Sequence, residues 1–203
     1  MRCPFCHNYD LVLNPGIFPL EDEENIFTFL QKRKGILTGV AITGGEPTLQ
    51  PDLADFIIKL QNMGYRVKLD TNGSNPQVLE HLLKENLLDY VAMDIKAGHE
   101  NYAKAIGLPA FSTDKIDKCL QLLSDYPIEY ELRTTAVKGL HTDSDFSDIA
   151  SWLPDDCNYF IQNYKDTEGI NNPGFCSFST EELNSFVSIL TRRLKNVSLR
   201  GAD

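Results

Sequence analysis

The sequence predicts an α/β fold built around a parallel sheet, and three observations lead to that prediction. From residue 38 onward, short runs rich in β-branched residues alternate with segments whose apolar residues recur at helical spacing. The chain of 203 residues, 42% of them hydrophobic, is long enough to bury a sizeable core. No low-complexity stretch or linker divides it, so residues 1–203 are predicted to form a single domain. Repeated βα units close into an open sheet or into a full or partial barrel, and the pattern alone allows both.

Six strands and six helices follow from the same pattern. The predicted strands are residues 38–43, 66–70, 90–95, 128–137, 157–162 and 197–200. The predicted helices have apolar faces formed by Ile26, Phe29 and Leu30; Leu53, Ile57 and Leu60; Leu79, Leu82 and Leu83; Ile116, Cys119 and Leu120; Phe146 and Ile149; and Leu183, Phe186 and Leu190. Cys119 lies on such a face and is therefore predicted to be a core residue. Residues 10–21 contain two prolines and a glycine and are predicted to form a loop.

The charge and composition exclude several classes of partner. With a net charge of −10, the chain lacks the basic surface that nucleic acid or an anionic membrane requires. Its N-terminus does not resemble a signal peptide and no apolar run is long enough to cross a bilayer, so we expect a cytoplasmic protein. In such a reducing compartment, its five cysteines are expected to be free thiols or metal ligands.

Two of these cysteines, Cys3 and Cys6, stand three positions apart at the start of the chain. The spacing suits a metal cluster, a redox dithiol, half of a zinc site or a structural pair, and the pair alone does not decide among them. A redox dithiol would need a strand before the pair and a helix at it, but the residues that follow are predicted to be a loop. A zinc site would need a second close pair, and Cys119, Cys157 and Cys176 are scattered along the chain.

Glycine and polar residues follow the predicted strands at their carboxyl ends, which is the edge where α/β folds bind their ligands. Gly44, Gly45 and Glu46 follow the first strand. They form either a tight turn with a solvated carboxylate or a cradle whose carboxylate accepts hydrogen bonds from an ammonium group. Asp70 and Asn72 end the second strand, where Asn72 could be either a simple turn residue or a ligand contact.

The next two strands add further charges. Asp94 and Lys96 end the third predicted strand and project to one face, so they either contact a ligand or pair with each other near solvent. Glu131 and Arg133 share one face of the fourth strand with Glu129. Alternating charges of this kind suit a polar ligand inside a barrel, whereas on an outer edge they would only aid solubility.

Four separated segments together resemble the activating enzymes of glycyl-radical enzymes, a group within the radical S-adenosylmethionine (SAM) superfamily. The segments are residues 3–11, 42–51, 68–76 and 90–97. The chain is most similar to the activating proteins of anaerobic ribonucleoside-triphosphate reductases, and a weaker likeness continues through residues 132–139 and 159–162. Residues 2–8 resemble the end of the C-x-x-x-C-x-x-C signature of the superfamily, whose first cysteine would lie four residues before Cys3, upstream of Met1.

The resemblance implies a fold, a set of cofactors and a set of site residues. The fold is a partial (β/α)6-type barrel whose first strand is missing or incomplete. The implied cofactors are a [4Fe-4S] cluster, SAM and, beside it, a monovalent cation. The implied roles are cluster ligation by Cys3 and Cys6; binding of the SAM amino group by Gly44, Gly45 and Glu46; contact with the adenine by Phe5; contact with the SAM carboxylate or the cation by Asp70 and Asp94; and further SAM contacts by Asn72, Lys96 and Arg133.

The resemblance also implies an activity. The protein would cleave SAM reductively and generate a radical on a glycine of a partner, most simply an anaerobic ribonucleoside-triphosphate reductase, with electrons from flavodoxin or ferredoxin. The alternatives are a radical SAM enzyme with a small-molecule substrate, a dithiol redox protein, and a truncated protein that only binds SAM or the partner. Because an open-iron cluster takes three thiolates, residues 1–203 alone are expected to bind iron poorly.

Overall fold

The computed structural model describes residues 1–14, 16, 19–165 and 174–201, and these residues contain one sheet of six parallel strands. Each strand pairs with the next one in the chain, in the order β1 to β6. The strands are β1 (Gly39–Ile42), β2 (Arg66–Thr71), β3 (Tyr90–Asp94), β4 (Glu129–Ala136), β5 (Asn158–Asn163) and β6 (Asn196–Arg200). All six predicted strands are confirmed. Because they are parallel, their carboxyl ends meet at one edge of the sheet.

Eight α-helices lie within the described residues, and six of them are the predicted ones. They are α1 (Tyr9–Leu13), α2 (Glu23–Lys32), α3 (Leu53–Asn62), α4 (Pro76–Lys84), α5 (His99–Ala105), α6 (Asp114–Asp125), α7 (Asp143–Trp152) and α8 (Thr180–Leu190). The sheet with its intervening helices confirms the predicted α/β fold in its open form. Within the described residues, no strand precedes the loop that carries Cys3 and Cys6.

The two unpredicted helices are short. The loop prediction for residues 10–21 is wrong at its start, which forms α1; residues 15, 17 and 18 of that stretch lie outside the described residues. Helix α5 was missed altogether, although Gly98 precedes it and Gly107 follows it. Helices of five and seven residues are too short to show the apolar periodicity on which the prediction relied.

One predicted core residue is on the surface. Phe29 is 52% exposed, whereas Leu30 is buried and Phe27 packs its ring 5.4 Å from that of Phe56. The buried side of α2 therefore runs through Phe27 and Leu30, and the prediction for Phe29 is wrong. Cys119 is confirmed as a core residue, because it is fully buried and its Sγ lies 3.3 Å from the Gly73 carbonyl oxygen, to which it donates.

The two faces of β4 show how the fold positions its polar residues. Leu132, Thr134 and Ala136 are buried on the face that belongs to the hydrophobic core, where each large aliphatic side chain contributes about 1.5–3 kcal/mol. Glu131 and Arg133 point to the opposite face, because successive strand residues alternate. The candidate site lies on that face, near the carboxyl-end edge of the sheet.

No helix in the described part of the chain is long and apolar enough to cross a membrane.

Candidate active site at the carboxyl ends of the strands

A cavity of about 690 Å³ opens at the carboxyl ends of β1 to β4. Its volume falls in the range of about 300–1,000 Å³ that is usual for small-molecule and cofactor sites. Ten of the eleven residues predicted for the site line it: Cys3, Cys6, Gly44, Gly45, Glu46, Asp70, Asn72, Asp94, Lys96 and Arg133. The structure therefore brings together residues from the ends of three strands, from the middle of β4 and from the start of the chain.

The cysteine loop is held by backbone contacts. The Cys6 amide donates to the Cys3 carbonyl over 3.1 Å, which closes the loop, and the Arg2 amide donates to the Ile106 carbonyl over 2.8 Å. Cys3 is buried and Cys6 is partly exposed. Burial raises the pKa of the Cys3 thiol, and the ammonium of Lys96 offsets part of that increase. Cys3 is therefore a thiol in the absence of metal, and metal binding there would release a proton.

Phe5 is the one predicted site residue outside the cavity lining. Its ring is buried and packs edge-on against His141, with 6.3 Å between the ring centroids. In this position Phe5 belongs to the hydrophobic core beneath the cysteine loop. Its contact with adenine stays a prediction that this ring position does not favour.

The glycine turn after β1 receives side chains from α1. Gly44 has a φ of +144°, a conformation that favours glycine, and a Cβ there would lie 3.7 Å from Leu11. A Cβ at Gly45 would lie 3.3 Å from Val12. The Asn8 side-chain amide donates to the Gly44 carbonyl over 3.0 Å. The two glycines thus have a packing role that the sequence did not suggest, since they let α1 close over the turn.

The Glu46 carboxylate is buried and engaged on both oxygens. Oε1 accepts hydrogen bonds from the backbone amide of Thr48 (3.2 Å), from the hydroxyl of Thr48 (2.5 Å) and from the hydroxyl of Thr71 (2.7 Å). Oε2 accepts one from the backbone amide of Asn72 at 2.7 Å. Glu46 therefore links the turn after β1 to the end of β2. Its carboxylate is neither solvated nor free of hydrogen-bond partners within the protein. Its contact with an ammonium group stays a prediction.

A chain of ion pairs, which we call the charged row, lies next to the thiols. Its members are Lys68, Asp70, Arg133, Asp94 and Lys96, and all of them except Lys68 line the cavity. Arg133 joins two carboxylates, with Nε 2.5 Å from Asp94 Oδ1 and Nη2 3.2 Å from Asp70 Oδ2. Lys96 Nζ lies 2.7 Å from Asp94 Oδ2. The guanidinium of Arg133 occupies the space between the two aspartates and supplies the positive charge there.

Asp94 and Lys96 carry their charges in this arrangement. Burial alone would raise the pKa of Asp94, but Lys96 and Arg133 hold it below its ordinary value. Burial alone would lower the pKa of Lys96, but Asp94 raises it above its ordinary value. The pairing of Asp94 with Lys96 is therefore confirmed, and the pair lines the cavity, while its contact with a ligand stays a prediction.

Asp70 retains hydrogen-bonding capacity. Its Oδ1 is buried and lies 3.1 Å from Lys68 Nζ, but the geometry between them is not that of a hydrogen bond. Asn72 uses its Oδ1 to accept from the Ser74 amide at 3.0 Å, so the predicted turn is confirmed. Its side chain also lines the cavity.

Next to the charged row, the carboxylate of Glu131 is buried, and hydrogen-bond donors surround it. It accepts two hydrogen bonds from Arg200, at 2.8 and 2.6 Å, and one from the Tyr90 hydroxyl at 3.1 Å. The Arg200 guanidinium stacks over the Phe160 ring at 3.5 Å. Glu131 and Arg133 are thus on the inner face of the sheet, as the alternating charges suggested, while Glu129 is exposed.

Several residues of the site were missed by the sequence analysis. Thr71 lines the cavity between Asp70 and Asn72, and its place between two predicted site residues was a usable signal. Leu11 and Val12 form part of an apolar wall, but nothing in their sequence context indicated it. They reach the cavity only because α1 folds back over the glycine turn.

The fold and the site together define a class of enzyme. A parallel array of βα units surrounds a thiol pair, a Gly-Gly-Glu turn and a site of mixed charge at the strand ends. The chain matches the family described as the Radical SAM superfamily over residues 1–153, and it belongs to that superfamily.

Two relatives place the chain more narrowly. It is 34% identical over 170 residues to "Putative glycyl-radical enzyme activating enzyme MJ1227" of Methanocaldococcus jannaschii, a match that covers 81% of this chain and 69% of the relative. It is 32% identical over 133 residues to "Putative glycyl-radical enzyme activating enzyme MJ1632" of the same organism, which covers 63% of this chain and 50% of that relative. The chain thus resembles activating enzymes and spans about two thirds and one half of their lengths.

Solved structures agree on the fold. Streptococcus suis SuiB bound to S-adenosylmethionine superposes with a TM-score of 0.71 at 16% identity, over 98% of this chain and 47% of SuiB. The structure of anSMEcpe with bound AdoMet gives a TM-score of 0.68 at 17% identity, over 98% of this chain and 60% of that one. At such low identity the likeness concerns the fold alone.

Membership in the superfamily implies a [4Fe-4S] cluster and SAM as cofactors. The residues fit SAM in chemical terms, and they supply two of the three thiolates that a cluster with one open iron takes. Cys3 and Cys6 offer two sulfur ligands on the cavity wall, and the charged row offers groups of both signs. The described residues contain no group of three or more cysteine, histidine or acidic side chains that could hold a metal ion. None of their other thiols therefore joins Cys3 and Cys6 as a third ligand.

Proposed function

We propose that this protein is a radical SAM activase that generates a glycyl radical on a partner enzyme, an anaerobic ribonucleoside-triphosphate reductase. Cys3 and Cys6 would help to hold the cluster and the charged row would hold SAM, and these two groups would supply the one-electron radical chemistry that removes a hydrogen atom from the glycine. The protein binds, orients and shields these groups. A low-potential donor such as flavodoxin or ferredoxin would supply the electron.

The observation that carries the proposal is the charged row beside the thiol pair. SAM has a carboxylate, an ammonium and a sulfonium group, so its binding site needs groups of both signs. In the cavity the row presents two cationic side chains and two carboxylates, and Lys96 is near enough to Cys3 to affect its pKa. Lys96 and Arg133 suit the carboxylate of SAM, while Asp70 keeps a buried oxygen that can accept a hydrogen bond.

The remaining site residues have supporting roles in this proposal. Cys3 and Cys6 supply two thiolates to the cluster. The turn of Gly44 and Gly45 presents backbone groups to the amino group of SAM, and Glu46 keeps that turn in place through its bonds to Thr48, Thr71 and Asn72. The apolar wall from α1 excludes water from the cavity. A monovalent cation is not needed between Asp70 and Asp94.

The partner is a macromolecule in this proposal because the similar relatives are named as activating enzymes of glycyl-radical enzymes. The net charge of −10 would favour a partner with a basic surface around its glycine. The alternative is a small-molecule substrate. A "Probable GTP 3',8-cyclase" of Saccharolobus islandicus is 33% identical over 113 residues, but the match covers only 54% of this chain and 36% of that relative.

Electron paramagnetic resonance tests the proposal. The full gene-encoded protein, reconstituted anaerobically, is mixed with SAM, a reductant and the anaerobic reductase of the same genome. We expect a glycine-centred doublet that requires all four components, and a reductase whose radical-site glycine is replaced by alanine serves as control. Consumption of SAM with a small molecule and no radical on the reductase would instead support the alternative.

A further inference from the structure

His141 lies in the turn after β4, and its buried imidazole joins three separate segments. The backbone amide of Val137 donates to His141 Nδ1 over 3.0 Å, within the same turn. The other ring nitrogen, Nε2, lies 2.8 Å from the carbonyl oxygen of Lys96, 45 residues away in the chain. The ring edge also packs against Phe5, which stands between Cys3 and Cys6. One side chain thus contacts the β4 turn, the end of β3 and the cysteine loop.

The hydrogen bonds fix the tautomer of this ring. Because Nδ1 accepts from an amide, the single proton of the neutral ring must be on Nε2, from which it is donated to the Lys96 carbonyl. Burial lowers the pKa of His141, so the ring stays neutral at ordinary pH. A second proton would have to be placed on Nδ1, directly facing the Val137 amide.

The bond to Lys96 does more than complete the β4 turn. A histidine needed only for that turn would use the bond to Val137, and a polar surface group or water could satisfy its other nitrogen. Here the second bond instead holds the peptide group of Lys96, whose ammonium pairs with Asp94 at 2.7 Å on the cavity wall. His141 itself is 4% exposed and does not line the cavity.

We infer that His141 is a positioning residue: through the Lys96 carbonyl and the Phe5 ring, it holds the ammonium of Lys96 and the cysteine loop in register for SAM. This inference rests on the proposed function. It concerns orientation alone, since His141 lies outside the reach of a ligand in the cavity.

Two substitutions separate the local bond from the distant one. His141→Asn keeps a short polar group near the position of Nδ1, which can still accept from Val137, but it does not reach the Lys96 carbonyl. His141→Gln places an amide donor near the position of Nε2, within reach of that carbonyl. Ile149→Val in α7 is the control, since it loosens the same core without touching the site. Each full-length protein is reconstituted anaerobically, its iron is counted, and SAM is titrated into it calorimetrically.

We expect His141→Asn to bind SAM about tenfold more weakly at equal iron content, as the loss of one buried hydrogen bond would cause. His141→Gln should stay within about threefold of the wild type, and Ile149→Val should bind normally despite a lower melting temperature. The change that SAM causes in the paramagnetic resonance spectrum of the reduced cluster should be reduced in His141→Asn alone. Equal SAM affinity in His141→Asn and wild type, or losses in all three variants that follow melting temperature, would overturn the inference.

A second measurement covers the case in which His141→Asn does not fold. Nitrogen-15 resonances of the histidine rings in the unaltered protein report which nitrogen carries the proton. We expect a single proton on Nε2 of His141 whose resonance shifts when SAM binds, because the Lys96 peptide group is part of the site. A proton on Nδ1, or a resonance indifferent to SAM, would overturn the inference while leaving the proposed function in place. A wild-type protein that holds a cluster yet does not bind SAM would overturn both.

Discussion

The two halves of the candidate site are held in different ways. Except for Lys96, which follows β3, the charged row is positioned by the register of adjacent strands, since Asp94 lies directly opposite Arg133 and side chains of one face meet across the sheet. The cysteine loop has no strand to hold it within the described residues and depends on contacts with distant segments, above all the bond from Arg2 to Ile106. The difference means that the row should tolerate small changes, whereas the loop should fail when one distant contact is lost.

The largest effect concerns the number of thiolates available to the loop. The described residues bring two thiols to the cavity, and a cluster with one open iron takes three. We expect residues 1–203 alone to take up far less than four iron per chain. An engineered version in which a cysteine is placed four positions before Cys3 should take up about four and absorb broadly in the visible range. A full, SAM-cleaving cluster on residues 1–203 alone would contradict this count.

Gly107→Ala should have the next largest effect, because it disrupts the packing of the cysteine loop against the residues that follow α5. Gly107 has a φ of +67°, and a Cβ there would lie 2.2 Å from the carbonyl oxygen of Arg2, so the loop would have to move. Gly64→Ala is the matched control, with a φ of +86° and no atom within 4 Å of the added carbon. Both variants carry backbone strain of about 1–2 kcal/mol. Only Gly107→Ala should lose most of its iron in a reconstitution assay, and equal retention in both would show that this packing is unimportant.

Glu46→Gln tests the connection between the glycine turn and the end of β2. The sequence suggested either a solvated carboxylate or a ligand group, but the Glu46 carboxylate accepts hydrogen bonds from four donor groups, and an amide would place a donor among them. We expect a loss of about 1–3 kcal/mol in the free energy of unfolding, measured by urea denaturation, together with weaker SAM binding. Glu80→Gln, in an exposed pair with Lys84, is the control and should change neither quantity. A Glu46→Gln protein as stable as the wild type would refute the structural role.

Asp94→Asn should give a smaller, pH-dependent effect. Because the pKa of Asp94 is lowered in the folded protein, its ionisation stabilises the fold above its ordinary pKa of about 4, and this stabilisation is lost as the pH falls through the folded value. The difference in unfolding free energy between wild type and Asp94→Asn should therefore be constant near neutral pH and shrink below about pH 4. A difference that does not change with pH would mean that Asp94 is not charged in the folded protein.

The sequence predicted the strands and the charged row well because both depend on local periodicity. Strand ends fall at one edge of a parallel sheet, so Asp70, Asp94 and Arg133 had to converge once the strands were recognised. The alternation of β4 likewise predicted that Glu131 and Arg133 share one face, but it left open whether that face points inward. This part of the site could therefore be predicted without information about tertiary contacts.

The remainder depends on long-range packing that no local pattern contains. Helices α1 and α5 are too short to be recognised, yet they close the glycine turn and support the cysteine loop. Glu46 was predicted as a ligand group. Two of its four hydrogen bonds come from the nearby Thr48, but the other two come from Thr71 and Asn72, which only the fold brings to it. His141 gave no signal, since its essential partner is a backbone carbonyl 45 residues away.

The most direct test of the central claim asks whether the charged row is a ligand site or only an ion-pair cluster. Lys96→Ala and Lys59→Ala each remove one lysine from a short ion pair, of 2.7 Å with Asp94 in the cavity and of 2.6 Å with Glu23 on the surface. The rate of 5′-deoxyadenosine formation is measured for both at equal iron content, with the full-length, anaerobically reconstituted protein. If the charged row binds SAM, Lys96→Ala should lose at least about tenfold in rate because a charge-assisted contact is lost, and Lys59→Ala should keep an unchanged rate. An unchanged rate for Lys96→Ala would contradict binding of SAM by the row.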